Sequence, residues 1–136
     1  MRVLALDHGT VRIGCALSDP SGTLATPLAV IEPPEARAVA DLVDEHGVEK
    51  VVVGLPVHLS GEEGSQAGLA RSFCRELEAM LSVPVETYDE RLTSRMADAS
   101  RRGGASAARD SLAAAHLLES YLESAAAGRV GEGEEA

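Results

Sequence analysis

The chain opens with RVLALD, Arg2 to Asp7, a nearly continuous apolar run that ends in a carboxylate. Such a run predicts a central strand covered on both faces. Gly9 and Thr10 turn the chain, and Arg12 to Asp19 predict a second strand. The turn DPSG, Asp19 to Gly22, leads into a third, Leu24 to Ile31. Pro27 cannot donate to a strand ladder, so this third strand suits an edge. Three short strands joined by tight turns predict an antiparallel meander.

Beyond Ile31 the apolar period changes. Pro33-Pro34 introduces a helix with Val39, Leu42, Val43 and His46 on one face and Gly47 as its stop. Val48 to Val53 reads as a buried strand, ending at Gly54-Leu-Pro56 and the polar loop HLSGEEG. A second helix places Ala70, Phe73, Cys74, Leu77 and Leu81 at helical spacing, with Phe73 and Met80 as core candidates. Val83 to Tyr88 predicts the fifth strand, and DERLTS leads into a third helix reaching about Arg102. Gly103-Gly104 breaks it. A last helix, Arg109 to Ala126, turns Ala114, Leu117, Leu118, Tyr121 and Leu122 inward.

The order β-β-β-α-β-α-β-α-α describes an α/β domain with a mixed five-stranded sheet and helices on both faces. That is the layout of the ribonuclease H-like fold. Residues 1–127 form the expected domain, and residues 128–136, GRVGEGEEA, read as a short, disordered acidic tail. A chain of 136 residues is long enough for a real core without crosslinks. Cys15 and Cys74 lie far apart in apolar runs and read as buried thiols. No stretch is apolar enough for a membrane span, and a strand begins at once, so the expected compartment is the cytoplasm.

The net charge of −10 argues against a general nucleic-acid binder. Positive charge is gathered locally, however: Arg91, Arg95, Arg101, Arg102 and Arg109 fall in one stretch against a single acid, Asp98. Sites in such sheets form at the C-terminal ends of parallel strands. Asp7 ends the first strand, Glu90 follows the fifth, and Asp110 stands in the first turn of the last helix. Each alone reads equally well as a turn or capping acid. Together they form a hard oxygen cluster suited to one or two Mg²⁺ or Mn²⁺ ions, with Asp7 as the bridging ligand. Asp89 is well explained as a helix cap. The chemistry expected is in-line attack of water on a phosphodiester.

Substrate-facing candidates are Thr10 and Arg12 in the first hairpin, His58 in the polar loop, and Arg91, Thr93, Arg95, Arg101, Arg102 and Arg109. His8 is expected to orient the turn after Asp7, and His116 to be structural. No histidine has zinc-ligand spacing. Gly61 and Gly64 leave backbone N–H groups for an anion or simply loosen the loop. Ser60 and Ser65 lack the partners a covalent nucleophile needs.

Four stretches, LALDHGTVRIGCALSD (4–19), GLPVHLSGEEG (54–64), YDERLTS (88–94) and RDSLAAAHLLESYL (109–122), resemble the RuvX (YqgF) family. These are Holliday-junction-resolvase-like proteins regarded as pre-16S rRNA nucleases. The resemblance implies a ribonuclease H-like fold, a divalent-metal site at Asp7, Glu90 and Asp110, and trimming of the 5′ end of precursor 16S rRNA. Thr93 and Ser94 keep both hydroxyls of the family's threonine pair. Arg109 replaces a commonly aliphatic residue, and GGASAA lacks the lysines of many members. The implied partner is RNA, with a DNA junction second and the chain a monomer or weak homodimer. Three other readings stand beside it: a catalytically silent ribosome-assembly factor, a Holliday-junction resolvase, and an ATP-binding actin-like domain, whose first phosphate hairpin DHGTVRIG also resembles.

Overall fold

The computed structural model describes residues 1–58, 60–93 and 107–135, with the side chains of 107–108 and 128–135 left aside. Strand β1 (Val3–His8) turns Leu4 and Leu6 into one core and Val3 and Ala5 into another. Strands β2 (Ile13–Ser18) and β3 (Ala25–Ile31) complete the antiparallel meander. Strands β4 (Lys50–Leu55) and β5 (Val85–Asp89) add in parallel, giving the order β3-β2-β1-β4-β5. The continuous apolar runs predicted for the first and fourth strands are therefore the central strand and its parallel neighbour, buried on both sides.

Pro27 lies on the edge strand as its chemistry requires. It pairs with Ala16 just where the ladder slips, so that Leu28 has no partner between Cys15↔Ala29 and Ala16↔Pro27. The missing donor falls at a bulge.

Helices α1 (Ala36–His46) and α2 (Ser65–Met80) cover one face, packing Val39, Val43, Phe73 and Leu77 on Leu4, Leu6, Val51 and Val53. Gly47, at φ +61°, ends α1 in the left-handed conformation and donates to the Val43 carbonyl. Helix α3 (Ala107–Glu135) covers the other face, setting Ala114, Leu117, Leu118, Tyr121 and Leu122 on Val3, Ala5, Ala16 and Val52. Both faces of the mixed sheet are thus covered by helices, as expected for a ribonuclease H-like fold.

Some expectations change. Met80 is 45% exposed at the last turn of α2, while its neighbours Leu77 and Leu81 take the core contacts. The fourth strand starts at Lys50, since Val48 is spent on the turn, donating to the Val43 carbonyl. After β5 the chain makes a single 3₁₀ turn, Glu90–Leu92. The third helix expected through Arg102, and the Gly103-Gly104 break, lie outside the described residues. Helix α3 begins two residues before Arg109 and its backbone is helical to Glu135, past the predicted end at Ala126 and through most of the stretch read as a tail. No helix among the described residues is long and apolar enough to cross a membrane.

Candidate active site

Strand alternation aims Asp7 at the α3 face of the sheet, the side of Val3 and Ala5. Its two neighbours across the sheet are glycines. Gly14 is its register partner on β2, and Gly54 follows Val53, the partner of Leu6 on β4. Each glycine makes room for one of the other acids. A Cβ on Gly14 would run into the backbone carbonyl of Asp110 and come within 2.9 Å of Ser111 N. A Cβ on Gly54 would stand 2.9 Å from Glu90 Oε1 and 3.2 Å from Glu90 Cγ. The first turn of α3 is therefore pressed onto β2 beside Asp7, and the Glu90 side chain lies over β4 on its other flank. All three acids are half-buried.

Asp7, Asp110 and the hairpin residues His8 to Arg12 line a cavity of about 220 Å³. The hairpin is closed by the Gly9 N–H donating to the Arg12 carbonyl at 3.0 Å. Arg12 reaches across to Asp110, Nη1 to Oδ2 at 3.3 Å, while its Nε lies 3.6 Å from Glu32 Oε2. Thr10 is exposed at the rim. Among the described residues, no three His, Cys, Asp or Glu side chains are grouped closely enough to hold a metal ion.

Asp89 caps the 3₁₀ turn, accepting from Arg91 N at 2.8 Å. It also pairs with the Arg91 guanidinium, Nη2 to Oδ2 at 2.7 Å, which lowers its pKa below the usual carboxylate value. Arg91 Nη1 donates to the His58 carbonyl at 3.4 Å. Arg91, a candidate to meet phosphate, also links the Glu90 turn to the β4–α2 loop. His58 is engaged through its backbone as well, donating to Glu62 O at 2.9 Å, and its ring packs on Gly64 at the start of α2.

His8 points to the opposite face from Asp7 and stacks on Phe73, ring centroids 4.6 Å apart. Burial lowers its pKa below the usual histidine value, with Glu76 opposing the shift. Thr93 has its Oγ1 buried with no hydrogen-bond partner among the described residues. Arg109 is half-buried beside Asp110. Arg95, Arg101 and Arg102 lie outside the described residues. Sequence reasoning missed Gly14, Gly54 and the Arg12–Asp110 contact. The glycines did carry a signal, because glycine within a strand marks a close approach by another chain segment.

The model of the RuvX family, described as Holliday junction resolvase, matches residues 1–124. The chain belongs to the RuvX family. Curated relatives named "Putative pre-16S rRNA nuclease" include one from Desulforudis audaxviator, 44% identical over 95% of this chain and 99% of its own length. Another, from Chloroflexus aurantiacus, is 46% identical over 89% of this chain and 86% of its own. Among solved structures, Thermus thermophilus RuvC in complex with a Holliday junction superposes with a TM-score of 0.58. It is 20% identical and covers 90% of this chain and 95% of that one. Fowlpox virus resolvase follows at a TM-score of 0.51 and 12% identity, over 91% and 98%. Both likenesses concern the fold, and they agree with the sheet order that carries Asp7 to its central edge.

Proposed function

We propose that this RuvX-family chain is a nuclease that hydrolyses phosphodiesters of precursor 16S rRNA, at the 5′ end, in the cytoplasm, using Mg²⁺ or Mn²⁺. The observation that carries the reading is that the two glycines flanking Asp7 across the sheet admit Asp110 on one side and Glu90 on the other, in a chain 44% identical to a relative named "Putative pre-16S rRNA nuclease".

By donor type the three acids suit a hard divalent cation, offering carboxylate oxygens and no thiolate or imidazole, but as placed here they form no group close enough to hold one. Asp7, Glu90 and Asp110 would have to draw closer to hold it. A bound cation would supply an activated water and charge stabilisation at the phosphorus. The chain's own residues do the rest. The rigid centre of the sheet fixes Asp7, and the Asp89–Arg91 clamp sets the turn that aims Glu90. Gly14 lets α3 carry Asp110 to the same edge. Thr10 and Arg12, at the cavity rim, face the approaching phosphate backbone.

The test incubates the protein with a 5′-extended 16S rRNA precursor and, separately, a four-way DNA junction, under Mg²⁺, Mn²⁺ or EDTA. Asp7→Asn, Glu90→Gln and Asp110→Asn run alongside. The expected result is metal-dependent cleavage of the RNA, abolished by EDTA and reduced at least about 100-fold by each substitution. Cleavage surviving chelation and all three substitutions refutes the mechanism. Cleavage of the junction but not the RNA refutes the substrate assignment.

A further inference from the structure

Helix α2 carries two arginines four residues apart, Arg71 and Arg75, which share one helix face. With Cys74, Glu78, Val85 and Thr87 they line a cavity of about 210 Å³ beside the edge strand β5. Arg71 donates through Nε and Nη2 to the Glu63 carboxylate, Nη2 to Oε2 at 2.8 Å. That pairing fixes the guanidinium and leaves Nη1 for another acceptor. Arg75 bonds the neutral Ser72 hydroxyl at 3.1 Å and pairs with no acid among the described residues. Burial raises the pKa of the Cys74 thiol and Glu78 adds to the rise, while both guanidiniums oppose it, so the two cations bear on one point. Two arginines thus face a single lining acid, Glu78, in a chain of net charge −10. Such a local excess of positive charge is where an anion is received.

The cavity lies on the α1–α2 face, since Val85 packs against that core, whereas Asp7 faces α3. The edge strand β5 runs between the two. The Val51 N–H donates to the Pro84 carbonyl, which turns the backbone of Glu86 toward β4 and that of Val85 and Thr87 away from it. Thr87 stands two residues before Asp89, about 7 Å along the strand. A nucleic-acid strand leaving the C-terminal end of β5 therefore reaches the cavity by turning over this edge. We propose that Arg71 and Arg75 form a second phosphate site, holding a backbone phosphodiester of the single-stranded nucleic acid outside the linkage that is cut. This rests on the nuclease reading given above and needs no metal ion. The planar guanidinium matches the two free oxygens of a phosphodiester. Phosphate contacts set register and orientation without reading sequence, so this pair fixes which linkage is presented at the other end of the strand.

The full chain is titrated into a short fluorescein-labelled single-stranded RNA, and into a DNA of the same sequence, in EDTA at several salt concentrations, following fluorescence anisotropy. Arg75→Gln is expected to weaken RNA binding about three- to five-fold, the scale of one exposed ion pair. It should also make the slope of log K against log salt shallower by about 0.7, one phosphate contact on a single strand. The DNA should show an equal loss, because the contact is to phosphate and not to the ribose hydroxyl. Glu78→Gln moves the other way, tightening binding with both arginines intact. Arg37→Gln makes the same charge change on the exposed surface of α1 and should leave affinity unchanged. Unchanged affinity and slope in Arg75→Gln, or an equal loss in Arg37→Gln, overturns the phosphate site and leaves the nuclease reading standing. A loss seen with RNA alone overturns the assignment to phosphate. Absence of any RNA binding by the unmodified protein overturns the substrate reading itself, and this inference with it.

Discussion

Replacing Gly14 with alanine adds one methyl group at the point where helix and sheet are closest. The new Cβ would overlap the carbonyl carbon and oxygen of Asp110 and lie 2.9 Å from Ser111 N. These are backbone atoms, so no rotamer change relieves the clash. The first turn of α3 must back away by roughly 1 Å or more to restore ordinary contact. Behind it lie Ala113, Ala114 and Leu117, all buried on the sheet, so the displacement loosens packing as well. Overpacking of this kind costs about 1–3 kcal/mol, and a backbone clash belongs at the upper end. For a chain of this size about 3 kcal/mol lowers Tm by roughly 10 °C. Asp110 moves with the helix, and a misplacement near 1 Å costs about 100-fold in rate. Gly54→Ala is the informative contrast. Its neighbours at 2.9–3.2 Å are side-chain atoms of Glu90 and Leu117, which can turn aside. Its stability loss should stay below about 1.5 kcal/mol while cleavage still falls, because Glu90 is redirected. Thermal unfolding by circular dichroism and the RNA cleavage assay measure both. A Gly14→Ala protein melting within about 2 °C of the parent would refute the close seating of α3 on β2.

Two further expectations concern groups away from the acids. Partial burial holds the His8 ring's pKa below the usual 6.5, so the unfolded chain takes up a proton before the native one does. Its contribution is intact above about pH 6.5 and is lost as pH falls from there toward the lowered native value. His8→Phe should keep the stack on Phe73 and flatten this part of the stability–pH curve; an unchanged slope would show that His8 is not the group responsible. Tyr121 OH accepts from Lys50 Nζ at 2.9 Å and donates to Glu86 Oε2 at 2.9 Å, joining β4, β5 and α3. Tyr121→Phe should cost about 1 kcal/mol in urea unfolding, with the direct Lys50–Glu86 pair at 3.1 Å surviving. No measurable loss would mean that water replaces the hydroxyl without penalty.

The elements were legible because their signals are local. Two continuous apolar runs, Pro27 in the third strand, and Gly47 after a helical stripe each act through covalent geometry or burial within a few residues. Asp7, Glu90 and Asp110 were legible as candidates because strand ends and helix starts are readable places. The same locality explains the misses. Met80 follows the apolar stripe by composition, yet Leu77 and Leu81 on either side of it take the core contacts and leave it exposed. Asp89 was readable as a cap, but its pairing with the Arg91 guanidinium appears only in the folded 3₁₀ turn.

What the sequence by itself determined is the set of strands and helices, the meander, and which acids stand at ends of elements, since these follow from periodicity and turn chemistry. Only the tertiary structure decided that Gly14 faces the backbone of Asp110 and that Arg12 grips its carboxylate. Those partners are 96 and 98 residues apart in the chain. Their meeting depends on the depth to which α3 settles on the small residues Ala5, Ala16 and Gly14, a property of the packed whole.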